Sequence, residues 1–199
     1  MDFAYEQTIE NVNDILTALQ EIKVHPYKAS WWFRGHSKPE YKLAPSVFRE
    51  FNLMGEWNLY HQFIRKAHSR YSQCPDSKDA LGWLTLMQHY GLPTRLLDWS
   101  QSVLVAAFFA CRSNPQENGI LWGMNPSVLI KQQVPTSSEG IFPIHTPLLQ
   151  ENARLALMEL GGKVNGTPFS VLPFYPTEID NRMLLQQSCF TFHTVDAIN

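Results

Sequence analysis

The 199-residue chain reads as one α+β domain over residues 1–199, with a small mixed sheet, surrounding helices and one central buried helix. Three observations lead there. Apolar residues recur at helical spacing in several segments, and short strand-like runs lie between those segments. No strand-like run opens into a glycine-rich phosphate loop, so the chain has neither a Rossmann fingerprint nor a P-loop. No internal repeat or linker divides it, and this length is enough to bury a real core.

Ile9, Val12, Ile15, Leu16, Leu19 and Ile22 predict a first helix, with Thr8 placed to cap it and His25-Pro26 to end it. Residues 29–34 read as a buried strand rich in Trp and Phe. Gly35 and Pro39 then turn the chain, and residues 41–48 look irregular around Pro45. The clearest helix carries Leu59, Tyr60, Phe63, Ile64, Ala67 and Tyr71 on one stripe. Glu56 near its start and Arg65, Lys66 and Arg70 toward its end suit the helix dipole, and Cys74-Pro75-Asp76 closes it. The next helix runs from an Asp79 cap to about Tyr90, where Gly91 takes the C′ position and Pro93 forbids continuation.

Residues 96–99 read as a short strand or an extended turn. Ser100 or Ser102 caps residues 103–112, which are apolar on every side and are therefore placed as the central buried helix. A turn at 113–119 leads to a strand at 120–124. Residues 131–147 have weak periodicity and carry Pro135, Gly140, Pro143 and Pro147, which predicts an excursion or mobile loop. A helix over 148–160 ends at Gly161-Gly162, and residues 169–174 form a strand. Thr177 caps a helix through about Gln187, and residues 189–194 form the last strand.

Composition narrows the function. Hydrophobic residues make up 44% of the chain and charged residues 17%, against a usual charged share of about 25%, which excludes a largely disordered chain. The net charge of −2 gives no global basic field to hold a nucleic acid. Cys74, Cys111 and Cys189 form no CxxC and are odd in number, so neither a disulfide framework nor a zinc ribbon is expected. The start of the chain is acidic and unlike a signal peptide, and the longest apolar run, 103–111, is far short of the ~20 residues that span a membrane. These features predict a cytoplasmic protein.

Two dense segments draw attention, residues 31–36 (Trp-Trp-Phe-Arg-Gly-His) and 88–100 (Gln-His-Tyr-Gly-Leu-Pro-Thr-Arg-Leu-Leu-Asp-Trp-Ser). Charge in such apolar company is costly unless paired or used. Arg34 beside Gly35 suits a clamp on phosphate or carboxylate, with Gly35 allowing close approach; the structural alternative is an ion pair with an acid such as Asp98. His89 beside a carboxylate would serve as a general base, and Arg95 would hold an anion; alternatively, Arg95 and Asp98 pin a buried turn. Ser100 and Ser102 flank a helix start, which is an anion site or simply a cap. Arg182 and Gln186 share a helix face, where an amide reads a base or merely faces solvent. His61 and His68 lack an acidic partner between them, there is no HExxH and no G-x-S-x-G, and no metal is expected. Cys189 near His193 reads as a small buried thiol rather than a nucleophile.

Taken in order, the two segments resemble the FRG domain family. The resemblance rests on Phe33-Arg34-Gly35, then Leu43-Ala44-Pro45-Ser46 with Arg49, then residues 88–99 followed by the small-residue stretch 106–110, and finally Arg182 to Phe190. It covers residues 30–194. His36 stands where the family commonly has Gln, and Ser188 where it has a closing glycine. By analogy of motif order, the resemblance implies an ADP-ribosyltransferase-like site that uses NAD, in a toxin or phage-defence setting, with a protein or nucleic acid as acceptor. In that site Arg34 holds the phosphates and Ser100 supports the nicotinamide. His36 or His89 contacts the ribose or orients the nicotinamide, and Gln186 or Glu178 stabilises the ribosyl cation or positions the acceptor. Gly35, Arg95 and Asp98 complete the cofactor contacts. Two other readings stay open. One is a non-catalytic nucleic-acid or nucleotide module stacking bases on Trp31, Trp32, Trp99 and Tyr90. The other is a nuclease or hydrolase using His89 and Asp98.

Overall fold

The computed structural model describes residues 6–22, 31–50, 53–113, 116–134, 141–158 and 169–194. Among them lie eight helices and one six-stranded sheet. In chain order these are α1 (Val12–Ile22), β1 (Trp32–His36), α2 (Val47–Glu50), α3 (Leu53–Ala67), α4 (Ala80–His89), β2 (Leu96–Ser100) and α5 (Val103–Arg112). There follow β3 (Ile120–Met124), α6 (Pro126–Gln133), β4 (Phe142–Pro143), α7 (Pro147–Met158), β5 (Val171–Tyr175), α8 (Asn181–Leu185) and β6 (Ser188–His193). The strand order is β3-β1-β2-β6-β5-β4, antiparallel throughout except for the β4–β5 pair. The expected α+β domain with a mixed sheet is what the chain forms.

Strand alternation divides the core in two. Leu96, Leu172, Phe174, Phe190 and Phe192 project from one face into the main core, against Leu81, Trp83 and Leu84 of α4 and Leu149 and Ala153 of α7. Trp32, Leu97, Trp99 and Cys189 pack together on the other face. At β2 the alternation leaves Asp98 on the main-core side, where α4 reaches its last turn.

Several local expectations meet a different structure. Helix α1 begins at Val12, and Asn11 rather than Thr8 supplies the cap, its Oδ1 accepting from Asn13 N at 2.9 Å. His25-Pro26, residues 29–30 and Gly161-Gly162 fall outside the described residues, as do residues 135–140 of the expected loop. Asn125 caps α6 with Pro126 in its first turn, so residues 131–133 of the expected loop are helical, and residues 142–143 form β4. Asp180, not Thr177, caps α8, accepting from Met183 N at 2.9 Å. The α4 boundaries fall as read: Asp79 accepts from Gly82 N at 2.9 Å, and Gly91 adopts φ 76°.

Helix α5 is not buried all round. Only Ala106 and Ala110 are buried, while Leu104 and Phe108 are 59% and 57% exposed. The smallest side chains face β1 because the helix backbone lies almost on the sheet. Gly35 does not turn the chain; it sits inside β1, opposite Leu121 of β3. A Cβ on Gly35 would collide with the Ala106 carbonyl oxygen and lie 2.5 Å from Ala110 N, both of them helix backbone. Gly35 therefore serves helix–sheet contact. Since backbone cannot rotate away, Gly35→Ala is expected to lower stability by about 3 kcal/mol or more, the upper end of overpacking costs. Gly91→Ala meets no atom within 4 Å and loses only the left-handed preference, about 1 kcal/mol. Thermal melts of the two variants measure the difference; equal melting points would show that α5 has room to lift.

No described helix is long and apolar enough to cross a membrane.

Candidate functional site at the splay of two central strands

The pairing of β1 with β2 is confined to Phe33 opposite Ser100. Beyond that point Arg34 spans the two strands. Its Nη1 donates to the Asp98 backbone carbonyl at 2.7 Å and lies 3.7 Å from the Asp98 carboxylate. Its Nε donates to His36 Nε2 at 2.9 Å. A neutral imidazole that accepts at Nε2 carries its proton on Nδ1, which faces the Tyr41 carbonyl at 3.1 Å and has the Trp122 indole Nε1 3.2 Å away. Burial, and then the Arg34 charge, push the His36 pKa down to about 4, so the ring is a neutral acceptor that aims the guanidinium.

Arg34 has a second cation nearby. Burial lowers its pKa most, the Asp98 charge raises it, and the charge of Arg49 on α2 lowers it. The Arg34 guanidinium keeps its charge at neutral pH. Two like charges set against one carboxylate make a local excess of positive charge, and an anion relieves it.

Asp98 is held by a relay. Leu96 N donates to Thr94 Oγ1 at 3.0 Å, and the Thr94 hydroxyl donates to Gln88 Oε1 at 2.6 Å. The Gln88 amide then donates to Asp98 Oδ2 at 2.9 Å. The carboxylate is thus oriented although its side chain is 55% exposed. Beside it opens a cleft of about 60 Å³, with Asp98, Gln88 and His89 on one side and Arg182, Gln186 and Ser188 on the other.

The fold gathers part of the predicted set. Asp98, His89 and Gln186 line this one cleft, and Arg34 borders it through Asp98. His89 pairs with Asp180, its Nδ1 3.7 Å from the carboxylate, while Asp98 pairs with Gln88 and Arg34. Ser100 supports the cleft from behind. Its hydroxyl donates to the Gln186 carbonyl at 2.7 Å and accepts from Ser102 N at 3.0 Å, fixing the turn in which Gln187 takes φ 47°. Ser102 is the cap of α5.

Three expected contributors lie elsewhere. Arg95 is 1% exposed and grips Glu56 of α3, with Nε 2.7 Å and 2.8 Å from the two carboxylate oxygens and Nη2 2.6 Å from Oε2. It joins β2 to the first turn of α3 and is closed to a ligand. Gly35 lies under α5, as described above. Glu178 lines a separate, larger cleft. Half of the stacking set is interior: Trp32 is fully buried, and Trp99 is buried with its Nε1 donating to Thr191 Oγ1 at 3.0 Å, while Tyr90 is exposed and Trp31 half-buried. Among the described residues, no group of three or more His, Cys, Asp or Glu side chains is placed to hold a metal.

Gln88 and Thr94 were in plain view in the sequence but carried no role there. Their signal is polar spacing across the α4 stop, which becomes a relay only once β2 turns back beside the helix end.

Residues 29–119 match the family model of the FRG domain. That span contains Arg34, His36, Arg49, Gln88, His89 and Asp98; Gln186 lies beyond it. No curated protein matches the chain. No solved structure matches it either.

Proposed function

We propose that this chain, of which residues 29–119 match the FRG domain, is an NAD-using, ADP-ribosyltransferase-like enzyme that acts on a macromolecular acceptor. The observation that supports it best is Arg34, oriented by His36 and the Asp98 carbonyl, with Arg49 nearby and an oriented carboxylate alongside. Arg34 binds the pyrophosphate through charge-assisted hydrogen bonds, and Arg49 adds charge. At about 60 Å³ the cleft beside Asp98 seats one small group, so it takes the reacting end of the dinucleotide rather than the whole of it.

Positive charge develops at the ribose anomeric carbon as nicotinamide departs. Asp98 is the carboxylate in that cleft, and because the Gln88 relay already orients it, it opposes that charge without reorganising. Gln186, on the opposite wall, positions the ribose or the acceptor, and its turn is locked by Ser100. His89, tied to Asp180, is placed to orient rather than to share a proton with Asp98. The family resemblance adds the toxin or phage-defence setting.

Calorimetry with NAD and an assay of nicotinamide release test this. Arg34→Ala is expected to weaken NAD binding roughly ten- to hundredfold, the worth of charge-assisted hydrogen bonds. Asp98→Asn is expected to leave binding within a few fold and to cut nicotinamide release by about 10²–10³. Circular dichroism confirms that each variant is folded. A folded wild-type chain that neither binds NAD nor releases nicotinamide overturns the proposal.

A further inference from the structure

The larger of the two clefts lies on the other side of Thr85, a residue that lines both. It encloses about 280 Å³ between α4, the turn before α7 and the segment preceding α8. Tyr71, Leu86, Ile144 and Ile179 supply apolar walls. The ionisable groups are two carboxylates, Asp79 and Glu178, and one imidazole, His145; the Thr85 and Thr177 hydroxyls and the Gln73 amide also line it. With His145 neutral or protonated, the side-chain charge is −2 or −1.

Asp79 is rigidly held. Its Oδ1 accepts from Gly82 N and from the Gln150 amide, which also donates to the Ile144 carbonyl at 2.9 Å. Its Oδ2 lies 3.9 Å from His145 Nδ1. Asp79, Gly82 and Thr85 follow at helical spacing on one face of α4. Gly82 brings no side chain, and the Asp79 carboxylate folds over it: a Cβ there would collide with Asp79 Oδ2. Thr85 itself is 2% exposed, and its Oγ1 has no hydrogen-bond partner among the described residues. A buried hydroxyl without a partner costs stability, and a valine of the same shape avoids that cost.

We propose that this cleft binds a cationic group on an apolar stem, a guanidinium or ammonium, with Asp79 and Glu178 as counter-charges and the Thr85 hydroxyl accepting an N–H. The apolar walls cover the stem, as long basic side chains cover their alkyl parts against apolar surface. The proposal stands apart from the NAD reading, because neither Arg34 nor Asp98 lines this cleft.

The test titrates the full chain, without NAD, with agmatine and with N-acetyl-arginine methylamide, followed by amide chemical shifts. N-acetyl-citrulline methylamide, the neutral isostere, is the control. Saturable shifts centred on Thr85, His145 and Ile179 are expected for a cation, with the citrulline compound at least about tenfold weaker. Binding of agmatine alone identifies a free amine as the natural ligand, and binding of the peptide analogue identifies a basic side chain of a partner; either supports the site. Glu178→Gln is expected to weaken binding roughly two- to fivefold, in line with an exposed counter-charge. Thr85→Val is expected to raise the melting temperature of the free protein while weakening the cation. Equal binding of the citrulline compound, or no saturable shift with either cation, overturns the proposal. So does a Thr85→Val chain that binds as tightly as the wild type.

Discussion

Glu56→Ala is expected to cost about 3–5 kcal/mol of folding free energy, more than any single change at the cleft surface. The substitution strands Arg95, which is 1% exposed and makes three contacts with that carboxylate. Arg95 Nη1 already has no hydrogen-bond partner among the described residues, and the Phe48 ring, 5.6 Å from the guanidinium carbon, offers only its π face. Removing one member of a buried pair leaves an uncompensated charge, which is the costly case. The pair itself is not a large net source of stability. Burial pushes the Glu56 carboxyl up, and Arg95 only partly opposes that shift, so desolvation dominates. It follows that Glu56→Leu with Arg95→Met is expected to recover most of the loss and to fall within about 1–2 kcal/mol of the wild type. Urea unfolding of the single and double variants measures both numbers. A Glu56→Ala protein within 1 kcal/mol of the wild type would show that water reaches Arg95.

The same ion pair shows where reading the sequence stops. Glu56 sits where a helix dipole favours an acid, which explains it locally and hides a partner 39 residues away. Helix α4 was legible because each end carries its own chemistry: an Asp79 cap at one, and Gly91 and Pro93 at the other. Helix α6 carries a comparable signal in Asn125-Pro126, yet its apolar periodicity is weak, and periodicity alone missed it. Gly35 looks like a turn residue until α5 lies across it, and that approach is tertiary. Helix α5 looks buried because all its sides are apolar, but the close approach at Ala106 and Ala110 turns Leu104 and Phe108 outward.

The candidate site divides along the same line. Gln88, His89 and Asp98 are close in sequence and meet because one strand follows one helix. Gln186 joins them only because β6 pairs with β2, setting Phe190 opposite Asp98 and Ser188 opposite Ser100. Glu178 is eight residues before Gln186, but the chain between them passes the Thr85 partition, so the two line different clefts.

Acidification is expected to unfold the protein through two buried histidines, His36 and His193. Burial is the larger cause in each, with the Arg34 charge next; the pKa falls to about 4 for His36 and about 3 for His193, from an ordinary 6.5. Both rings are acceptors in the fold. His36 Nε2 takes the Arg34 N–H. At His193, Trp99 Nε1 donates to Thr191 Oγ1, whose own hydroxyl proton is then directed at His193 Nε2, 2.8 Å away. Protonating either ring puts a donor where a donor already points. In the unfolded chain both rings take up protons near pH 6.5, while in the fold they resist to about pH 4 and pH 3. The unfolded state therefore binds more protons, and stability falls as pH drops through that window. Each histidine contributes up to about 1.4 kcal/mol per pH unit, so the two together give about 3.6 between pH 6 and pH 4.5, where the unfolded rings go from partly to fully protonated. Set against a typical total of about 5–15 kcal/mol, that loss removes roughly a quarter or more of the stability by pH 4.5 and so brings acid unfolding to higher pH. His36→Gln keeps an acceptor for Arg34 and a donor for Tyr41 but does not titrate, so it should halve the slope of stability against pH while leaving neutral-pH stability close to the wild type. Urea midpoints measured from pH 7 to pH 4.5 decide it: an unchanged slope in His36→Gln would mean that water solvates the ring, and Arg34 would then need another group to hold its direction.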